Sequence, residues 1–357
     1  MHALKRFGTA FGGYKMMENY PVPECGPDDI ILEIKAAAIC GADMKHWGVD
    51  NGYDDTNITP DQQQSVRGHE FAGEIVKVGE NVKDWHIGQR VVSDNSAHVC
   101  GVCPACEQGD FLCCEHKVNL GLDNNTWGGG FSKYCKVPGE ILAIHKHAIW
   151  EIPEGIKYEE ACVLDPICNA YKAVAQQSHL IPGQDVVVFG TGPLGLFSVQ
   201  VAKLMGAVNI VMVGLDDDVK VRFGVAKELG ATHCVNGSKE DVVARCTEIC
   251  GRDNLGLVIE CSGANIALKQ AIEMTRPNAE IVRVGMGFKP LEFSINDITA
   301  WNKSIIGHMA YDSTSWRNCI RLLQSGQIKV QPMITHRLGL SQWQEGFDKM
   351  AKKEAIK

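Results

Sequence analysis

Asp185-Val186-Val187-Val188-Phe189-Gly190-Thr191-Gly192-Pro193-Leu194-Gly195 is the stretch on which the fold turns. Val186 to Phe189 form a short continuous apolar run, as expected of a strand buried on both faces. Three glycines follow at the spacing Gly-x-Gly-x-x-Gly, and a helical stretch continues to Met205. Strand, then glycines, then helix is the context that a dinucleotide-binding turn requires. The first glycine permits the tight turn, the second lets the backbone approach a pyrophosphate, and the third allows close helix–strand contact. The helix N-terminus adds N–H donors and a partial positive charge. Gly190, Gly192, Pro193, Leu194 and Gly195 are therefore candidate cofactor-binding residues.

Downstream, Ile210 to Val213, His233 to Val235, Leu257 to Glu260 and Glu280 to Val284 read as further strands alternating with helical segments. Lys220 to Leu229 is one such helix, and Gly230 is placed to cap it. Strand and helix in series imply a parallel sheet with helices on both faces. An acid at the end of the second strand should bind the adenosine ribose. Gly214 stands there, and Asp216, Asp217 and Asp218 follow closely. A carboxylate suits a 2′-hydroxyl and repels a 2′-phosphate, so Asp216 and its neighbours favour NAD over NADP. Arg222 is the residue that could make NADP possible, because a guanidinium can hold a phosphate.

Upstream, the pattern is β-rich. Ile30 to Ala36, Gly73 to Gly79 and Gly88 to Val92 read as short strands, and residues 128–153 return to strands after a turn-rich stretch. An irregular barrel is expected here. Within that stretch Cys100, Cys103, Cys106 and Cys114 lie inside fifteen residues. Four thiolates so close suit a tetrahedral zinc, and a site filled by four protein ligands is structural rather than catalytic. Cys113 adjoins Cys114, and ligand chemistry alone does not separate the two. Cys40 together with His69 and Glu70 offers a thiolate, an imidazole and a carboxylate. That is a first shell for an open, catalytic zinc. Two zinc ions per chain are expected.

Composition narrows the class. The chain has 357 residues, enough for about two domains. Hydrophobic residues make 45% and charged residues 22%, which excludes disorder. Lys plus Arg number 35 and Asp plus Glu 43, a balance of -8 that disfavours nucleic acid as a partner. The longest apolar run, Val186 to Ala202, is interrupted by Gly190 to Pro193 and by Gln200, so no membrane span is expected. Met1 to Phe7 lacks the apolar segment of a signal peptide, and the cysteine density is below that of a disulfide scaffold. A cytoplasmic location is the expectation.

At these residues the chain resembles the zinc-dependent medium-chain alcohol and polyol dehydrogenases, of the sorbitol and threonine dehydrogenase type. Gly68-His69-Glu70-x₂-Gly73-x₅-Gly79-x₂-Val82 fits their zinc signature, and Cys40-Gly41-Ala42-Asp43 stands where they carry the first zinc ligand. The cysteine spacing is that of their structural zinc lobe and selects Cys114 over Cys113. The resemblance covers essentially the whole chain. It implies a catalytic domain of residues 1–160 and 308–357, with the zinc lobe at about 93–127, flanking a Rossmann domain of residues 161–307. It also implies that Asp165, in Leu164-Asp165-Pro166-Ile167-Cys168-Asn169-Ala170, supplies a further catalytic-zinc carboxylate, directly or through water. Ser262, Val284, Gly285 and Met286 are implied to lie beside the nicotinamide.

Two departures bear on the proton route. Ala42 replaces the usual Ser or Thr whose hydroxyl starts a proton relay, and Lys45 stands where His is frequent. Glu70 and Lys45 are thus the catalytic candidates, Glu70 by exchanging on and off the metal and Lys45 by helping to set the pKa of a departing proton. His46, Trp47, His308 and Tyr311 are candidates for binding extra substrate hydroxyls. Members usually continue past Ala355-Ile356-Lys357 in a last strand. The implied reaction is reversible oxidation of a secondary alcohol of a polyol to a ketone with hydride transfer to NAD. The implied partners are a small polyhydroxylated substrate and further copies of the chain, as a homodimer or homotetramer. One alternative is L-threonine 3-dehydrogenase, favoured by Asp165-Pro166 and Asn169-Ala170. Another, of a different class, is a non-catalytic zinc protein that mediates interactions; the acidic balance and the second ligand set count against it.

Overall fold

Residues 1–6, 13–47, 65–123, 127–287 and 289–357 are described by the computed structural model, and the side chains of Lys45 and His46 lie outside what it describes. In the first half, two antiparallel pairs, β1 (Ala3–Arg6) with β2 (Tyr14–Met17) and β6 (Ser96–His98) with β7 (Val118–Asn119), accompany a five-stranded antiparallel sheet. That sheet contains β3 (Ile30–Ala38), β4 (Glu70–Val78), β5 (Arg90–Ser93), β8 (Tyr134–Val137) and β9 (Ile149–Glu151), in the order β8-β3-β4-β5-β9. β4 begins at Glu70, so the pair His69-Glu70 straddles a strand start. Register shifts along β3, between Ile31 and Leu32 and between Ile34 and Ala36, bend the sheet over its core.

The second half carries six strands: β10 (Asp185–Phe189), β11 (Ile210–Gly214), β12 (His233–Asn236), β13 (Leu255–Glu260), β14 (Glu280–Arg283) and β15 (Ser304–Gly307). Every neighbouring pair is parallel, in the order β12-β11-β10-β13-β14-β15. The chain builds outward from β10 in one direction, then returns to build from β13 in the other. The crevice at such a switch point, outside the carboxyl ends of the strands, is where open α/β sheets bind ligands. β10, β11 and β13 are buried at every position. Val186 and Val188 join one core cluster and Val187 and Phe189 the other, so the continuous apolar run serves two faces at once. The helix Pro193–Leu204 opens directly after the loop, with Gly192 as its N-cap. A Cβ at position 195 would sit 1.8 Å from the Gly190 carbonyl oxygen, so only glycine fits there.

The apolar runs predict five parallel strands, and the sheet has six. β15 escapes notice because it is short and largely exposed, as suits an edge strand, and it lacks a continuous apolar run. The last fifty residues return to the first half. Trp316, Cys319 and Ile320 of the helix Ser313–Gln324 share a core with Leu164, Ile167 and Cys168 of the helix Leu164–Tyr171. Phe347, on the helix Trp343–Ala351, packs with Leu4, Tyr14, Met44 and Phe131. Truncating a buried aromatic such as Phe347 to Ala costs about 3–5 kcal/mol. Among the described residues no helix is long and apolar enough to cross a membrane.

Candidate active site and metal centres

Cys100, Cys103, Cys106 and Cys114 place their sulfurs within 4.8 Å of one another. Cys100 Sγ is 3.6 Å from Cys114 Sγ and 4.0 Å from Cys106 Sγ. Four sulfurs held 2.3 Å from one tetrahedral zinc stand roughly 3.8 Å apart, so the pocket has the size of the ion. Local structure builds it: Cys103 precedes the short helix Pro104–Glu107, which carries Cys106, and a 3₁₀ turn at Phe111–Cys113 delivers Cys114. Cys113 is exposed on that turn and stands outside the four. The backbone N–H groups of Val102 and Cys103 hold the Cys100 thiol down to about 6, whereas burial pushes Cys106 up to about 12. A shared cation would hold both as thiolates.

The second set is Cys40, His69 and Glu70, whose ligand atoms also lie within 4.8 Å of one another. Cys40 precedes the helix Gly41–Trp47, and its N–H donates to Asp43 Oδ2 at 3.0 Å. Asp43 Oδ1 lies 3.7 Å from His69 Nδ1, with both residues buried. A carboxylate behind one ring nitrogen fixes the ring's orientation and leaves the other nitrogen for a metal. Glu70 Oε1 is buried with no hydrogen-bond partner among the described residues. Such an orphan in a thiolate–imidazole–carboxylate set fits a zinc with an open position. Glu70 Oε2 accepts a hydrogen bond from the buried Lys357 ammonium, which also donates to the Ile39 carbonyl at 3.1 Å. Burial opposes the Lys357 charge, but Glu70 and Cys40 outweigh it and hold its pKa above the ordinary value.

Asp165 is not one of the three clustered ligands. Its Oδ2 accepts from Asn95 Nδ2 at 3.1 Å and from the Tyr311 hydroxyl at 2.9 Å, and its Oδ1 accepts from Asn169 Nδ2 at 3.0 Å. Burial pushes its carboxyl up to about 6 against the opposing charge of His69, and Glu70 adds to the rise. The Tyr311 hydroxyl also lies 2.7 Å from the Asp94 carbonyl, so its one proton is shared between two inward acceptors. His308 Nε2 is 3.3 Å from Asn169 Oδ1, and Trp47 packs against Phe347 at a ring-centroid distance of 5.2 Å. The side chains of Lys45 and His46 lie outside the described residues.

In the dinucleotide unit, Gly190, Gly192, Pro193, Leu194 and Gly195 stand together at the carboxyl end of β10. Asp216 is half-exposed just beyond β11, where it accepts from Asn236 Nδ2 at 2.7 Å and pairs with Lys239 at 3.2 Å. Arg222 is turned inward: it is buried, donates to the Ala355 carbonyl at 3.0 Å, and faces Asp218 at 3.5 Å. Ser262 and the segment Val284, Gly285, Met286 follow the neighbouring strands β13 and β14. Asp43 has no role predicted from the motif Cys40-Gly41-Ala42-Asp43, although its place three residues after Cys40 is a usable signal. Asn95 and Lys357 reach the site from remote segments and carry no motif signal.

A three-residue set that could hold a metal on one unit and a glycine turn of dinucleotide-binding type on the other would suit the two halves of alcohol oxidation, a Lewis acid and a hydride carrier. The class so defined is a zinc- and NAD(P)-linked dehydrogenase. The chain belongs to the zinc-binding alcohol dehydrogenase family: the alcohol dehydrogenase GroES-like domain matches residues 26–147 and the zinc-binding dehydrogenase domain matches residues 193–325. It is 78% identical over 357 residues to an uncharacterized zinc-type alcohol dehydrogenase-like protein of Escherichia coli strain K12, covering 100% of this chain and 98% of that one. It is 30% identical to a sorbitol dehydrogenase of Halalkalibacterium halodurans, covering 100% and 98%, and 32% identical to an L-threonine 3-dehydrogenase of Rhizobium rhizogenes, covering 94% and 91%.

Proposed function

We propose that this chain reversibly oxidises a secondary alcohol of a polyol to the ketone with NAD⁺, and that Cys40, His69 and Glu70 hold its catalytic zinc. Zinc supplies the Lewis acidity that lowers the pKa of an alcohol, and NAD⁺ accepts the hydride. Asp43 orients His69. Asp165 contributes negative charge from just outside the ligand set, and Lys357 gives Glu70 a second partner when it exchanges. Ala42 has no hydroxyl to pass on the substrate proton, and Lys45 is the candidate for assisting its exit. The catalytic unit comprises residues 1–160 and 308–357, a division supported by the packing of Phe347 against Leu4 and Tyr14. Cytoplasmic residence as a homodimer or homotetramer belongs to the same reading.

The observation that carries the polyol reading is the set of uncharged polar groups around Asp165: Asn95, Asn169 and, behind Asn169, His308, with Tyr311 turned inward to hold Asp165 in place. Burial, with Lys172 nearby, holds His308 down to about 4, so it too is neutral at pH 7. Such a wall suits further hydroxyls. An amino acid would bring an ammonium and a carboxylate, and Lys172, the cation packed against this segment, is committed to Asp110 at 2.7 Å. NAD is favoured over NADP because Arg222 is spent on Ala355 and Asp218, while Asp216 stands beyond β11.

The test is kcat/KM for a panel of polyols, simple secondary alcohols and L-threonine, each with NAD⁺ and NADP⁺. A polyol with NAD⁺ should give the highest value. A higher value with L-threonine replaces the substrate assignment, and a higher value with NADP⁺ overturns the cofactor preference.

A further inference from the structure

Glu260 is the last residue of β13, next to the switch point, and none of its surface is exposed. Burying a carboxylate in the middle of a parallel sheet is costly unless partners hold it. Its partners are concentrated on one oxygen. Oε1 accepts from Ser262 N at 2.7 Å, from Gly263 N at 2.9 Å and from the Ser262 hydroxyl. Among the described residues Oε2 has no hydrogen-bond partner; it faces Arg283 Nε at 3.9 Å.

The same residue holds the next loop through its main chain. Val284 N and Gly285 N both donate to the Glu260 carbonyl, each at 2.8 Å. Arg283 then reaches back to the Gly285 carbonyl at 3.4 Å. The two loops are also fitted to each other with no room for side chains. A Cβ at Gly263 would lie 2.4 Å from the Met286 carbonyl oxygen, and one at Gly285 would lie 2.1 Å from Gly263 N. The pyrophosphate loop abuts the same place, since a Cβ at Gly190 would meet Ser262 N at 3.0 Å. Three loops therefore converge at the carboxyl ends of β10, β13 and β14, where a dinucleotide lies at a switch point.

We propose that Glu260 is a positioning residue for the nicotinamide half of the cofactor: its side chain fixes Ser262-Gly263, its carbonyl fixes Val284-Gly285, and together they set the shape of the surface against which the nicotinamide lies. The proposal rests on the reading of residues 262–263 and 284–286 as the nicotinamide-facing loops. The adenosine half is held elsewhere, beyond β11, and does not depend on Glu260.

That division supplies the experiment. NADH and ADP-ribose share the adenosine, the pyrophosphate and the second ribose, and differ by the nicotinamide ring, the part whose seat Glu260 shapes. In Glu260→Gln an amide oxygen accepts the three donors more weakly than a carboxylate, and an NH₂ group opposes Arg283. Titrating the zinc-loaded protein should show NADH affinity falling about tenfold, the loss of roughly one charge-assisted hydrogen bond. ADP-ribose affinity should stay within about twofold, and the emission of bound NADH should shift toward that of the free cofactor. Ser262→Ala, which removes one donor and leaves the carboxylate in place, should give a smaller loss in the same direction and serves if Glu260→Gln does not fold. Equal losses for NADH and ADP-ribose would refute the positioning role and leave Glu260 as a general fold determinant. If the wild-type protein gains nothing in affinity for NADH over ADP-ribose, and bound NADH emits like free NADH, the assignment of the nicotinamide loops is itself wrong. The two failures are thus distinct.

Discussion

The four-thiol cluster and the Cys40-His69-Glu70 set are both metal-sized, but they are assembled differently. The first is local: Cys100 to Cys114 spans fifteen residues, and two short turns bring the sulfurs together. The second depends on tertiary structure. Cys40 comes from the link between β3 and the helix Gly41–Trp47, His69 and Glu70 from the start of β4, Asp165 from a helix and Lys357 from 287 residues beyond Glu70. A local cluster is bound to its metal as a folding unit, whereas a dispersed one is held in shape by the surrounding protein and can leave a coordination position open. Substitutions at Cys114, Asp165 and Lys172, with Cys113 as a control, probe that contrast.

The largest effect is expected at Cys114→Ser. Metal analysis should show zinc falling from about two equivalents per chain to about one. Denaturation should show a loss of several kcal/mol, because a structural zinc contributes folding energy directly. Cys113→Ser, on the exposed turn, should change neither. Unchanged zinc content in Cys114→Ser would dismantle the closed-site assignment.

Asp165→Ala should act on chemistry more than on fold. Loss of a carboxylate beside a metal's ligands typically costs about 10- to 100-fold in metal affinity or activity. Asp165→Asn keeps the size of the side chain but removes its charge, and should share most of the loss in turnover with less loss of stability. A lowered melting temperature with intact turnover and zinc content would mean that Asp165 is only an acid in the first turn of the helix Leu164–Tyr171, a favourable place for one in any protein.

The contrast between the clusters also explains what could be read from sequence. Cysteine spacing identifies the lobe because its geometry is set by chain connectivity over a few residues. The glycine turn is legible for the same reason: Gly190, Gly192 and Gly195 act through local backbone geometry, and five of the six parallel strands announce themselves as apolar runs. The open site is only partly legible. Cys40, His69, Glu70 and Asp165 come from matching motifs, but their mutual placement comes from tertiary packing. The partners that hold them do not show at all. Asn95 reaches Asp165 across 70 residues and Tyr311 across 146, and neither asparagine nor tyrosine carries a spacing signal. Tyr311 illustrates the error this causes: as a residue in a list it suggests a substrate contact, but in the structure its hydroxyl is committed to Asp165 and the Asp94 carbonyl.

The smallest effect tests whether the two metal regions are independent, because one physical path joins them. Asp110 lies inside the lobe, between Cys106 and Cys114. It accepts a hydrogen bond from Lys172 at 2.7 Å, and Lys172 also donates to the Met309 carbonyl at 3.3 Å. Met309 follows His308, which contacts Asn169, which in turn donates to Asp165. In Lys172→Met the aliphatic stem is replaced and the ammonium is lost. Breaking a fully buried ion pair costs about 3–5 kcal/mol, because a charge is stranded without water. Asp110 is about one-third exposed and remains hydrated, so the cost here should be nearer 1–2 kcal/mol. Zinc content should remain at about two per chain, the melting temperature should fall by a few degrees, and turnover should stay within about threefold of wild type. These values follow if the lobe fixes its own metal locally and Asp165 is held chiefly by Asn95 and Tyr311, which the substitution leaves in place. If Lys172→Met instead lowers turnover as far as Asp165→Ala while retaining both zinc ions, the contact between lobe and helix positions the open site. The local and dispersed clusters would then have to be treated as one catalytic assembly.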